Sequence, residues 1–218
     1  MKGVFVTFEG GEGSGKTTHL KRLAHYLRDL GDEVVETRDP GGTTIGKEIR
    51  TLLLSPESAA ISDSAELLLY EASRAQLVRE VITPAIARGA VVLCDRFTDS
   101  TLAYQGFGRG LDLNLIRQLN LFTTGGLAPD LTILLDLDPR IGLERCTRGS
   151  RPGLTSRDRL EAEPLSFHQR IREGYLALAR EEPERIRVMN AAMSMHEIEA
   201  AVRDEVLRMK RSRSTVHG

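Results

Sequence analysis

Short apolar runs alternate along the chain with longer stretches in which apolar residues recur every three or four positions. Val4–Phe8, Glu33–Thr37, Ala90–Cys94, Leu131–Leu137 and Ile186–Met189 have the length and aliphatic content of strands. Val91-Val92-Leu93 and Ile133-Leu134-Leu135 are unbroken, the pattern of strands covered on both faces. Leu20, Leu23, Leu27 and Leu30, and later Met195, Ile198, Val202 and Val206, mark the inward stripes of two amphipathic helices. Asp63 with Glu66 has capping-box spacing, and Asp138-Pro139 offers a cap followed by proline in the first turn. Strand–helix–strand repetition with right-handed crossovers predicts an α/β fold, a doubly wound parallel sheet of about five strands with helices on both faces.

No repeat or linker divides the chain, so residues 1–209 are expected to form one domain. Gly149–Arg159, polar and rich in Arg, is expected to be a mobile loop, and 210–218 a basic, frayed tail. The 30 Lys and Arg nearly balance the 31 Asp and Glu, which argues against a protein built to coat nucleic acid or an anionic membrane. Two cysteines, Cys94 and Cys146, make no disulfide framework. With no secretion signal in Met1–Phe8 and no membrane-length apolar run, the expectation is a cytoplasmic protein. The five histidines show no metal-ligand spacing.

The sharpest chemical signal is Gly10-Gly11-Glu12-Gly13-Ser14-Gly15-Lys16-Thr17, which fits G-x-x-x-x-G-K-[ST] between an expected strand and an expected helix. Glycines let consecutive N–H groups turn inward on phosphate oxygens, the helix adds its positive end, and Lys16 adds a full charge. The Thr17 hydroxyl can ligate Mg²⁺, so a nucleoside triphosphate is expected here. Val91–Cys94 runs into Asp95-Arg96-Phe97, which a parallel sheet places at the carboxyl edge beside this loop. Asp95 there suits the water shell of Mg²⁺ and Arg96 suits a second phosphate; a plain loop ion pair is the bland alternative. Tyr70 and Arg74 lie one helical turn apart, either as a base-reading pair or as a core aromatic beside a surface arginine. Arg148, Arg151, Arg157 and Arg159 crowd one loop, and a lid closing over two polyanions needs such charge.

Taken together these residues resemble the thymidylate kinase family in its bacterial-type form. The resemblance rests on Glu9–Thr18, Thr37-Arg38-Asp39-Pro40-Gly41-Gly42-Thr43, Tyr70–Arg74, Asp95-Arg96-Phe97, Ser100–Gly106 and Asp158-Arg159-Leu160-Glu161, in that order. It implies a P-loop NTPase-type fold with an Arg-rich lid at about 148–160, ATP- and Mg²⁺-dependent phosphorylation of dTMP, and a homodimer. Gly10 to Thr18 with Lys16 would hold ATP, and Thr17 and Asp95 would surround the metal. Arg96 would grip the acceptor phosphate, Arg74 would hydrogen-bond the thymine and Tyr70 would stack on it, with Thr101 and Gln105 near the base. Tyr104 would disfavour a ribose 2′-hydroxyl and Glu12 would meet the sugar 3′-hydroxyl. Three departures stand out: Asp39 where Glu is commoner, Tyr70 where Phe is usual, and a longer lid. Gly13 follows Glu12 where some members carry Arg, so Arg148 or Arg151 of the lid would supply the catalytic charge. The rivals are a kinase for another monophosphate such as dUMP or dGMP, a non-catalytic nucleotide-binding module, and a GTPase switch. Asp39-Pro40-Gly41-Gly42 fits the switch pattern D-x-x-G, but no N-K-x-D motif occurs.

Overall fold

The computed structural model describes residues 3–149 and 158–216. Its centre is a parallel sheet of five strands in the order β2-β3-β1-β4-β5. The strands are β1 (Val4–Glu9), β2 (Val34–Arg38), β3 (Val91–Asp95), β4 (Leu131–Asp136) and β5 (Ile186–Asn190). Nine α-helical segments are described: α1 (Lys16–Asp29), α2 (Thr44–Leu54), α3 (Asp63–Leu77), α4 (Thr83–Ala87), α5 (Thr98–Thr101), α6 (Leu113–Thr124), α7 (Pro139–Gly149), α8 (Leu165–Glu181) and α9 (Met195–Val216). A π-helical turn, Val78–Ile82, joins α3 to α4, and another, Leu102–Gly108, extends α5.

The unbroken apolar runs are explained by burial on both faces. Val4, Val6 and Phe8 of β1, with Val91, Leu93, Ile133 and Leu135, pack on α1 and α9. Phe5, Val92 and Cys94 point the opposite way, beneath α4 and the π turn before it. Leu134 and Ile186 meet α2, α3, α6 and α8. Glu9 ends β1 with the same parity as Phe5 and Thr7, which turns it toward α5 and α8.

Several expectations shift in detail. The α1 stripe stops at Leu27, because the helix ends at Asp29 and leaves Leu30 exposed; in α9, Met195 is likewise exposed. Ser62, not Asp63, caps α3 by accepting from Ala65 N–H at 3.3 Å, so Glu66 is free to turn inward. Asp138 caps α7 as expected, accepting from Arg140 N–H at 2.8 Å. Helix α9 runs through Lys210 to Val216, with Met209 packed on the core and Lys210 paired with Asp32 at 2.5 Å. Among the described residues no helix is long and apolar enough to cross a membrane.

Candidate active site

The loop from Gly10 to Gly15 leaves β1 and enters α1 without a side-chain cap or an acidic residue in the first turn. The N-terminal amides of α1 are thus left to an anion. Lys16 Nζ donates to the carbonyls of Gly10 (3.1 Å) and Gly11 (2.7 Å) and to Ser14 Oγ (3.3 Å), bracing the loop from within. Burial, then Arg96, lowers its pKa to about 8, which still leaves it mostly charged near neutrality. Thr17 Oγ1 lies 2.5 Å from Asp95 Oδ2, so the two oxygen donors expected around a metal are adjacent. At Gly13, φ is 65° and an added Cβ would stand 2.2 Å from the carbonyl oxygen of Gly142 in α7. Position 13 therefore has no room for any side chain.

Beside this loop opens a cavity whose walls include Glu12, Asp39, Tyr70, Arg74, Arg96, Thr101, Tyr104 and Gln105. All eight acceptor-side residues picked from the sequence thus converge. Glu12, Arg50 and Arg96 also line the groove along Gly13–Thr18, making the two spaces contiguous. Arg96 stands at the junction in a left-handed conformation, φ 72°, rare for a side chain of this size. Its guanidinium lies 4.9 Å over the Tyr104 ring and donates to Glu12 Oε1 (2.8 Å), Gly10 O (3.0 Å) and Tyr175 Oη (3.2 Å). Tyr104 Oη donates to the same Glu12 oxygen at 2.5 Å. Burial works against ionisation of Glu12, but Arg96, then Lys16 and the Tyr104 hydroxyl, outweigh it and hold the carboxyl at about 2.

Arg74 is 1 % exposed, and its five N–H groups are all spent on protein partners. They reach Asp39 (2.6 Å), Glu71 (2.8 Å), Asn120 (2.6 Å), Thr101 (2.6 Å) and the Phe97 carbonyl (3.4 Å). A base contact from Arg74 requires one of these bonds to be exchanged. Asp39 keeps its other carboxylate oxygen buried without a partner, and burial raises its pKa. Gln105 Nε2 donates to Glu66 at 2.8 Å. The Tyr70 ring lines the cavity while its hydroxyl has no hydrogen-bond partner among the described residues.

Arg159 is not a mobile lid cation. It is buried, donates to the Leu53 carbonyl at 2.9 Å and pairs with Glu66 at 2.5 Å, fixing the end of the expected lid to α2 and α3. Arg148 falls in the last turn of α7, with its side chain outside the described residues; Arg151 and Arg157 lie outside them altogether. The sequence reading missed Arg50, which lines both spaces; burial, then Arg38 and Arg96, lowers its pKa, the mark of a cation crowded by cations. It also missed Glu9 and Tyr175. An acid closing an apolar strand signals Glu9; no local signal marks Arg50 or Tyr175.

A family model described as "Thymidylate kinase" matches residues 8–202. A thymidylate kinase of Deinococcus radiodurans is 53 % identical over 201 residues, 92 % of this chain and 95 % of that protein. One of Solidesulfovibrio magneticus is 54 % identical over 201 residues, 91 % of this chain and 96 % of the other. The crystal structure of a thymidylate kinase from Ehrlichia chaffeensis superimposes with a TM-score of 0.71 at 34 % identity, covering 87 % of this chain and 93 % of that one. With the P-loop, the shared cavity and these matches in hand, the chain belongs to the thymidylate kinase family.

Proposed function

We propose that Arg96, at the junction of the P-loop groove and the acceptor cavity, brings the two phosphates together as the chain transfers the γ-phosphoryl group of ATP to dTMP. Phosphorylation of dTMP is the family's activity, and ATP is its phosphoryl donor. The single observation that carries the residue assignment is that Glu12, Arg50 and Arg96 line both spaces at once.

The nucleophile is a phosphate oxygen whose second pKa is about 6, so no general base is required at neutral pH. A Glu12 carboxyl held at about 2 is a poor proton acceptor and suits a positioning role on the sugar. The barrier is electrostatic: two anions must meet. Lys16 and the loop amides hold the donor phosphates, Arg96 and Arg50 hold the acceptor phosphate, and the crowding of Arg38, Arg50 and Arg96 favours a dianion among them. Thr17 and Asp95, already adjacent, would supply hard oxygen donors to Mg²⁺. When bound, the metal offsets charge on the transferred group. Since Gly13 admits no side chain, the remaining positive charge is assigned to Arg148 and Arg151.

Tyr70, Thr101, Gln105, Arg74, Tyr104 and Glu12 all line the cavity; the first four are assigned to the base and the last two to the sugar. Exposed Ile45 and Leu52 of α2, Leu68 of α3, and Leu115 and Phe122 of α6 put apolar surface on three neighbouring helices, which supports a homodimer. The balanced charge supports neither nucleic acid nor an anionic membrane as a partner. The test is dTMP-dependent release of ADP from wild type and Arg96→Ala. The variant should lose about 10²–10³-fold in kcat/KM for dTMP while binding ATP normally; near-wild-type turnover overturns the assignment.

A further inference from the structure

The buried carboxylate Glu9 and the hydroxyls of Ser100 and Tyr175 form a cluster that the chemistry above does not use. Glu9 is fully buried at the end of β1. Every hydrogen bond described at its side chain is accepted from a donor: Phe97 N–H at 2.7 Å, Ser100 Oγ at 2.6 Å and Tyr175 Oη at 2.8 Å. Each of these donors borders Arg96. Phe97 is its chain neighbour, and both hydroxyls receive Arg96 Nη1, at 3.3 Å (Ser100) and 3.2 Å (Tyr175). Each hydroxyl has one proton. While Glu9 takes that proton, the oxygen lone pairs remain for the guanidinium.

We propose that Glu9 is a positioning residue for Arg96: by drawing the Ser100 and Tyr175 protons and the Phe97 amide toward β1, it holds the arginine in its left-handed conformation, aimed at the acceptor phosphate. This rests on the assignment of Arg96 to that phosphate. A left-handed conformation at a non-glycine residue is strained and persists only where its surroundings over-determine it. Here the surroundings are Arg96 N–H on the Phe8 carbonyl at 3.0 Å and the next amide on Glu9. Placing a proton on the Glu9 carboxyl forces one of its three donors to turn away or to accept. Ser100 Oγ and Tyr175 Oη lie 2.8 Å apart, so a hydroxyl that turns can donate to the other, which reorders the pair that receives Arg96 Nη1.

The charged and titratable groups facing Glu9 come from each packed element: Arg96 after β3, Asp99 of α5, Lys16 of α1, Arg74 of α3, Cys94 of β3 and Tyr175 of α8. Burial, then Asp99, raises the Glu9 pKa to about 7 against the pull of Arg96, so its ionisation falls within the working pH range. Asp99 is itself held by Arg185 at 2.7 and 2.8 Å.

The experiment is a mutant cycle on steady-state kinetics with dTMP and ATP varied separately, using wild type, Glu9→Gln, Tyr175→Phe, Arg96→Ala and Glu9→Gln with Arg96→Ala. The Gln amide nitrogen cannot accept the Ser100 and Tyr175 protons and forces those hydroxyls to reorient, so Glu9→Gln should raise KM for dTMP about tenfold while KM for ATP changes less than about twofold. In the Arg96→Ala background the same change should have little further effect. The acid limb of kcat/KM for dTMP, near 7 in wild type, should move in Glu9→Gln toward the substrate phosphate's own value of about 6. Tyr175→Phe, which leaves the P-loop strand untouched, should raise KM for dTMP about fivefold and carries the test should Glu9→Gln fold poorly. If Arg96→Ala uses dTMP normally, the phosphate assignment fails. If Arg96→Ala is crippled but the Glu9 or Tyr175 variants match wild type, add their full effect to it, or keep the wild-type pH limb, the positioning role alone is overturned.

Discussion

On the acceptor side of the site, Arg74 is buried with all five donors engaged by side chains and carbonyls from four segments of the chain. On the donor side, Thr17 and Thr18 are exposed, and Lys16 holds only its own loop. The acceptor wall is therefore shaped by side chains bonding one another across long sequence separations. The donor seat is shaped by backbone path, with glycines where a Cβ would collide. Damage to the first should appear as lost stability, and damage to the second as altered nucleotide handling.

The largest test of that contrast is Arg74→Met. It leaves Asp39 and Glu71 buried without their cation and should cost about 3–5 kcal/mol of unfolding free energy in urea melts. A variant that keeps wild-type stability but loses dTMP binding would make Arg74 a substrate ligand first and a structural brace second. Glu12 sits between the two halves and gives a pH signature of defined sign. Its folded pKa of about 2 lies below the ordinary carboxylate value, so the ionised group stabilises the fold above about pH 4.5 and that share is lost as pH falls toward 2. Glu12→Gln should remove up to about 3 kcal/mol at pH 7 and flatten the decline between about pH 5 and 2. An unchanged slope in urea melts across that window would remove Glu12 from the bridge between the halves. The smallest effect is expected from Gly142→Ala, whose Cβ would stand 2.2 Å from the Glu12 carbonyl. Overpacking of this kind costs about 1–3 kcal/mol and should raise KM for ATP more than KM for dTMP; equal changes would erase the distinction between seat and wall.

What the sequence revealed follows the same division. The P-loop, the five strands and the Asp95-Arg96 edge were legible because strand periodicity and the glycine motif are local. Tyr70 and Arg74 were picked out by helical spacing and Tyr104 and Gln105 through resemblance, but spacing could not show that Arg74 is saturated, since its partners Asp39, Thr101 and Asn120 come from distant segments. Asp63 was misread as a cap because Ser62 beside it has the same reach, and the inward turn of Glu66 is decided by Gln105, Arg109 and Arg159. Arg159 shares its composition with the rest of the Arg-rich loop; only the Leu53 carbonyl and Glu66 distinguish an anchor from a lid cation. Glu9 and Tyr175 lie 166 positions apart, and no pattern along the chain joins them.

The Gly13–Gly142 contact has a mechanical corollary. Main chain rests against main chain there, with no compressible side chain between, so the nucleotide-holding turn and the first half of α7 are packed as one. The far end of α7 leads into the Arg148–Arg159 segment. The turn that seats the triphosphate is thus braced against a helix of 11 residues that ends at Gly149.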